Sequence, residues 1–258
     1  MVRPKKYLGQ HFLKDREIAK DIVEALTGHM HYKTLVEVGP GTGILSGFLL
    51  GRPGKLVLVE IDRDSVDYLK SHFDVEKEQI IQGDFLKLDL NTIDNTGLGI
   101  IGNFPYNISS QLFFKIIEHH TLVREVVCMV QDEVARRISS SKGHKTYGIL
   151  SVLLQAYYDI EYLFQVPPDV FFPPPKVNSG VIRLKRNEVA ELPCNTTLFK
   201  SIVKQGFQNR RKTLRNALKP LNLPAGLSEH VFMSKRAEQL GPDEFIELTN
   251  IVEELWNK

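Results

Sequence analysis

The sequence predicts an α/β fold: a mostly parallel sheet, doubly wound by helices on both faces, with a small C-terminal α-helical domain. Three observations predict it. Short, continuous apolar runs rich in Val, Ile and Leu recur through the first two thirds of the chain, as expected of strands buried on both faces. Segments with helical apolar spacing separate those runs, which is the pattern of βαβ units. Beyond Arg186 the strand-like runs stop, and helical segments punctuated by Pro220, Pro224 and Pro242 take over.

Taken in order, residues 16–26 place Ile18, Ala19, Ile22, Val23 and Leu26 on one helical face. Residues 34–38 and 56–61 read as the first two strands of the sheet. Residues 79–82, 99–103 and 126–131 read as the third, fourth and fifth. Helices are expected at 44–50, 65–72 and 110–119. The late run Gly180-Val181-Ile182-Arg183-Leu184 is expected to close the sheet as an antiparallel edge strand. Residues 197–208, 212–218 and 243–256 are expected as helices. The division therefore falls into a catalytic domain, 1–187, and a helical domain, 188–258.

Of the 258 residues, 42% are hydrophobic and 25% charged, which places the chain among globular proteins rather than disordered ones. No apolar stretch approaches the ~20 residues of a membrane span, so no membrane partner is expected. The basic N-terminus, Met1 to Lys6, is followed by no apolar h-region of the kind that marks a signal peptide. The two cysteines, Cys128 and Cys194, fit a reduced, cytoplasmic location better than a disulfide framework. The net charge of +2 is unevenly spread. Residues 3–20 hold six basic and two acidic side chains, and residues 186–219 hold eight and two. Local basic clusters on a near-neutral chain suggest a polyanion docked on part of the surface.

Three loops carry chemistry. Glu37-Val38-Gly39-Pro40-Gly41-Thr42-Gly43 follows the first strand of the sheet, where glycines let backbone approach a ligand closely. Ile44 stands where a dinucleotide-binding loop would carry its third glycine, so the spacing favours S-adenosylmethionine. Glu60 ends the next strand, where a carboxylate can accept bonds from both ribose hydroxyls. Gly83-Asp84-Phe85 follows the third strand. There Asp84 can accept from an adenine amine and Phe85 can line the ring.

The sharpest signal is Asn103-Phe104-Pro105-Tyr106, of the form used to methylate exocyclic amines. The lone pair of adenine N6 is delocalised into the ring, so the amine is a poor nucleophile. The Asn103 amide oxygen and the Phe104 carbonyl can accept its hydrogens and favour a pyramidal nitrogen. Pro105 stiffens the turn, and Tyr106 offers a face for an extruded base. The pairs His29/His31 and His119/His120 lack further ligands, and methyl transfer needs no metal, so none is expected.

These motifs resemble the ribosomal RNA adenine dimethyltransferase family. The likeness also takes in Gly9-Gln10-His11-Phe12-Leu13, Val59-Glu60-Ile61-Asp62, Tyr147 to Val152, Phe171 to Ser179 and Asn209 to Asn216. The resemblance implies a Rossmann-like S-adenosylmethionine methyltransferase fold, with S-adenosylhomocysteine as product. It implies cofactor contacts from His11, Leu13, Gly39, Gly41, Glu60, Ile61, Asp84, Phe85 and Asn103. It implies that Phe171 stacks on the target base opposite Tyr106, and that Arg210, Arg211, Lys212 and Arg215 face RNA. Arg211 and Arg215, four apart, are expected on one helical face. The family usually has Asn at the place of His11 and Leu at that of Phe104. The implied substrate is two adjacent adenosines near the 3′ end of small-subunit (16S) rRNA, within a 30S subunit precursor, met by a monomeric enzyme. Related alternatives are a large-subunit rRNA adenine methyltransferase of the macrolide-resistance type and an assembly factor that mainly binds. A DNA adenine methyltransferase would carry a target-recognition insert, and the sequence shows none.

Overall fold

The computed structural model describes residues 2–76 and 79–256. Contacts group the chain into two units: one runs to Arg136 and includes Asp159–Arg186, the other holds Arg137–Tyr158 and the residues from Asn187 on.

The first unit opens with a two-residue strand, β1 (Phe12–Leu13), and helix α1 (Arg16–Glu24). Asp15 starts α1 by accepting hydrogen bonds from the Glu17 and Ile18 N–H groups, which otherwise have no helical partner. The buried face of α1 is Ala19, Ile22 and Val23, the face its spacing predicts. Next come β2 (Thr34–Val38), α2 (Ser46–Leu49), β3 (Lys55–Glu60), α3 (Arg63–His72) and β4 (Ile80–Gln82). They are followed by β5 (Leu98–Asn103), α4 (Ser109–Glu118), β6 (Val123–Gln131) and α5 (Asp132–Ser139). After helix α6 (Ile149–Gln155), the chain forms β7 (Tyr158–Val166), β8 (Phe171–Phe172) and β9 (Ser179–Arg186).

Seven strands make the sheet, in the order β4-β3-β2-β5-β6-β9-β7. Strand β2 pairs in parallel with both β3 and β5, with Val36 opposite Val57 and Ile100. Strands β4 and β6 extend the parallel set. Strand β9 runs antiparallel to β6, with Cys128 opposite Ile182. The late strand is therefore antiparallel as expected but stands one position in, because β7 takes the edge. In β7, Asp159 and Glu161 interrupt the apolar run that marks the other strands. Val36, Leu58, Ile100, Ile101 and Val127 are each at most 1% exposed, so apolar side chains cover the sheet on both faces. Burial of each stabilises the unit by about 1.5–3 kcal/mol.

The second unit holds α6, α7 (Thr196–Gln208), α8 (Leu214–Ala217) and α9 (Pro242–Trp256). Its core is built from Phe199, Ile202 and Val203 of α7 and Phe245, Leu248 and Val252 of α9. Segment 137–158 belongs with these helices, whereas a single cut at 187/188 leaves it with the sheet. The reason is the apolar helix α6, which packs on α7 and α9. The helix expected over 212–218 shortens to α8, because Thr213 is extended (φ −64°, ψ 156°) and bridges Arg236.

Candidate active site

A cavity of about 240 Å³ lies at the carboxyl ends of β2, β3, β4 and β5, where a doubly wound sheet binds its ligands. Gly39, Glu60, Ile61, Asp84, Phe85, Asn103 and Tyr106 line it, together with residues 7–12. The three loops named by the sequence thus converge on one cavity.

In the glycine loop, Gly39 (φ +68°) and Gly41 (φ +57°) both adopt the left-handed conformation that side chains disfavour. A Cβ on Gly41 would lie 2.8 Å from the Phe12 ring. A Cβ on Gly39 would meet no atom within 4 Å, so Gly39 leaves space open at the cavity.

Glu60 is 3% exposed. Its Oε2 accepts the Gly41 N–H at 2.9 Å, and its Oε1 accepts the Asp62 N–H at 2.8 Å. Each oxygen keeps a further lone pair for a ligand. Burial pushes this carboxyl above its ordinary pKa, although the backbone bonds pull it down. Neighbouring Glu37 is wholly buried, and burial pushes its pKa up to about 8 despite a 2.7 Å bond from the Ser46 hydroxyl. Asp84 uses Oδ1 to cap the turn at Leu86 N–H, 2.9 Å away.

Asn103 ends β5 with its Nδ2 donating to the backbone carbonyl of His11 at 2.8 Å. Phe104 N–H donates to Met129 O at 3.0 Å, which anchors the loop to β6. Tyr106 hydroxyl and Ser179 Oγ share a bond of 2.5 Å, and burial pushes the phenol upward in pKa. The His11 ring stacks on Tyr106, with centroids 5.5 Å apart and planes 28° off parallel, and its Nδ1 donates to Pro173 O at 2.7 Å. The side chain of His11 therefore belongs with Tyr106, while its carbonyl orients Asn103.

Several contacts escaped sequence reasoning. Lys5 pairs with buried Asp62 and, at 2.9 Å, with Asp64, while Gln10 Nε2 donates to Asp62 at 3.2 Å. Burial works against an ionised Asp62, but the bonds from Lys5 and Gln10 prevail and hold its pKa below the usual carboxylate value. These contacts fasten residues 5–10 beside the cavity. Lys115 is buried on α4, and its ammonium donates to Leu86 O (3.1 Å) and Leu88 O (2.6 Å), holding the loop that carries Asp84 and Phe85. No local motif announces either contact, since the partners stand 57 and 29 residues apart.

Not every expected site residue lines the cavity. Phe171 is 1% exposed, sits in the hydrophobic core opposite Leu13 and does not line the cavity. Adjacent residues on a strand face opposite ways, so Phe172, 54% exposed, is the ring presented to solvent. Leu13, itself core, lines a small side pocket with Gly39 and Asn103. In the second unit, Arg210 is tied to Glu238 (2.5 Å) and to the carbonyls of His144 and Lys145. Arg215 donates to Ser228 O at 2.6 Å. Arg211 precedes α8 and shares no helical face with Arg215. Arg211 and Lys212 are the exposed cations of the cluster without a protein partner among the described residues.

Strand order, antiparallel β9 and the ring of loops around one cavity are those of a Rossmann-like methyltransferase. Residues 1–254 match the family model described as ribosomal RNA adenine dimethylase. The chain belongs to that family. It is 53% identical over 252 residues to the ribosomal RNA small subunit methyltransferase A of Cytophaga hutchinsonii, covering 97% of this chain and 98% of that one. The protein of the same name from Flavobacterium johnsoniae is 51% identical, covering 98% and 97%. Among solved structures, a dimethyladenosine transferase from Plasmodium falciparum superposes with a TM-score of 0.81 at 25% identity, covering 95% of this chain and 98% of that one. The 23S rRNA methyltransferase ErmE shares the fold, with a TM-score of 0.65 at 23% identity and 93% and 99% coverage.

Proposed function

We propose that the chain uses S-adenosylmethionine to dimethylate the N6 amines of two adjacent adenosines near the 3′ end of small-subunit rRNA. On this reading the substrate is a 30S precursor, and the enzyme acts as a monomer in the cytoplasm. The observation that carries the chemistry is the bond from Asn103 Nδ2 to His11 O. A carbonyl oxygen only accepts, so the bond fixes which end of the amide is the donor. The Asn103 oxygen is then left as the acceptor for a target amine.

The residues present suit the cofactor. The buried Glu60 oxygens have lone pairs left for ribose hydroxyls, Asp84 has a carboxylate oxygen left for an adenine amine, and exposed Ile61 and buried Phe85 supply apolar surface. The open space at Gly39 and at Gly83 would be filled by any side chain. When bound, S-adenosylmethionine supplies an electrophilic methyl group on sulfur. Asn103 and the Phe104 carbonyl would hold the amine hydrogens and turn the nitrogen lone pair out of conjugation with the ring. Pro105 keeps that loop stiff, and Tyr106 is braced by Ser179 and His11. No strong base is needed, because the proton leaves readily once nitrogen bears positive charge. A monomethylated amine keeps one hydrogen, so the same acceptors can hold it for a second transfer.

The curated relatives near 50% identity carry the small-subunit name, whereas the likeness to ErmE supports the fold alone. The test is to incubate the enzyme and S-adenosylmethionine with naked rRNA or with immature small-subunit particles, then weigh the nucleosides by mass spectrometry. N6-dimethyladenosine at two neighbouring positions is expected. N6-monomethyladenosine alone under excess enzyme would overturn the dimethyltransferase reading, and methylation confined to large-subunit rRNA would overturn the substrate.

A further inference from the structure

We propose that a second pocket, at the carboxyl end of β6, receives the nucleobase next to the adenosine being methylated. This rests on the function proposed above and extends it to the neighbouring nucleotide. The pocket lies where Gln131 ends β6 and Asn178 precedes β9. Strand β6 is the next strand after β5 in the sheet, about 4.8 Å away, so this rim continues the one that carries Asn103. The continuity is also covalent and hydrogen-bonded. Gln131 stands opposite Ser179, whose hydroxyl bonds to that of Tyr106. A base leaving the Tyr106 side of the catalytic loop therefore meets this pocket along the rim formed by the strand ends.

The lining selects a base over a bare anion. Asp132 and Glu133 place carboxylates at the pocket, which would repel a lone phosphate but accept hydrogens from an exocyclic amine. Arg136 (2.7 Å) and the Tyr162 hydroxyl (2.6 Å) already hold Asp132 in place. The side chains of Gln131 and Asn178 have no protein partner among the described residues, and each offers both a donor and an acceptor to a base edge. Pro168 and half-exposed Val177 supply apolar surface for the ring. Lys176, exposed at the mouth and likewise unpartnered among the described residues, is the cation for the linking phosphate. The class of ligand is an amine-bearing nucleobase in single-stranded RNA, which the second adenosine satisfies.

The test uses small-subunit particles with a ligated 3′ RNA fragment. The nucleotide beside the target is either adenosine or an abasic ribose, and initial methylation rates are compared. For wild type, the abasic site is expected to lower kcat/KM about tenfold, mainly through KM. Gln131→Ala with Asn178→Ala is expected to lower it about tenfold on the intact particle and no further on the abasic one. Lys176→Ala, at an exposed position, gives a second variant with a rise in KM alone. Unchanged S-adenosylmethionine affinity by calorimetry certifies that each variant is folded. Equal losses on both particles, or no loss on the intact one, would overturn the subsite. Failure of wild type to methylate even the intact particle would instead overturn the function itself.

Discussion

Asn103 and the backbone of His11 are joined by a 2.8 Å hydrogen bond in which the side-chain amide donates. The residue proposed to meet the target amine is thus oriented by a segment 92 residues earlier in the chain. Asn103→Ala is expected to slow both methyl transfers at least about tenfold, or 1.4 kcal/mol of barrier. Asn103→Asp is expected to be worse, because a carboxylate would face the His11 carbonyl. RNA affinity should stay near wild type in both, since phosphate contacts dominate it. Single-turnover methylation beside filter binding checks this; a rate near wild type for Asn103→Ala would remove the amide from the chemistry.

Glu60 holds two backbone N–H groups and faces the cavity. Glu60→Ala is expected to weaken S-adenosylmethionine by about 1–3 kcal/mol, the scale for losing bonds to a charged group. Isothermal calorimetry measures it directly, and an unchanged Kd would place the cofactor elsewhere.

Glu37 supplies a pH signature. Its pKa is about 8 in the folded chain and near the ordinary glutamate value of 4.5 when unfolded. Between those values the folded state keeps a proton that the unfolded state has released. Stability from this group is therefore full below pH 4.5 and is lost as pH rises towards 8, at up to about 1.4 kcal/mol per pH unit. Glu37→Gln keeps an acceptor for the Ser46 hydroxyl and cannot ionise. It is expected to flatten the decline and to be the more stable protein at pH 8. Denaturant melts of both proteins at pH 5, 6.5 and 8 decide the matter, and parallel curves would refute it.

In the basic cluster, Arg211→Ala with Lys212→Ala is expected to reduce the slope of log K against log salt by up to about 2. Arg210→Ala is expected to leave that slope unchanged and to lower thermal stability, since its guanidinium serves Glu238 and two carbonyls. Salt titrations of RNA binding distinguish these roles. A slope lowered by Arg210→Ala would return that residue to the RNA face.

Much of the site was legible because its residues sit where strands end. Gly39, Glu60, Asp84 and Asn103 each follow an apolar run, and strand ends in a doubly wound sheet converge without further instruction. What escaped depended on partners distant in sequence. Arg210 reads as a free cation until Glu238 arrives 28 residues later. Phe171 and Phe172 are chemically alike, and only the register of Leu13 opposite Phe171 decides which ring is buried. Strand β7 hid because Asp159 and Glu161 broke its apolar run, and Glu161 is answered by Arg183 and Lys185 of the neighbouring strand.

The fastening of residues 5–10 to Asp62, followed at once by the His11 carbonyl on Asn103, makes residues 5–11 a safety catch for the proposed chemistry. Asp62 follows β3, on the proposed cofactor side, and Asn103 ends β5, on the proposed target side. A displacement of this segment that exposed the cavity would also release the amide from its working orientation. On the proposed function, such an opening would leave the Asn103 amide unable to hold an extruded base. For the same reason, substitutions of Lys5 or Gln10 are expected to affect the proposed chemistry, although both lie far from Asn103 along the sequence.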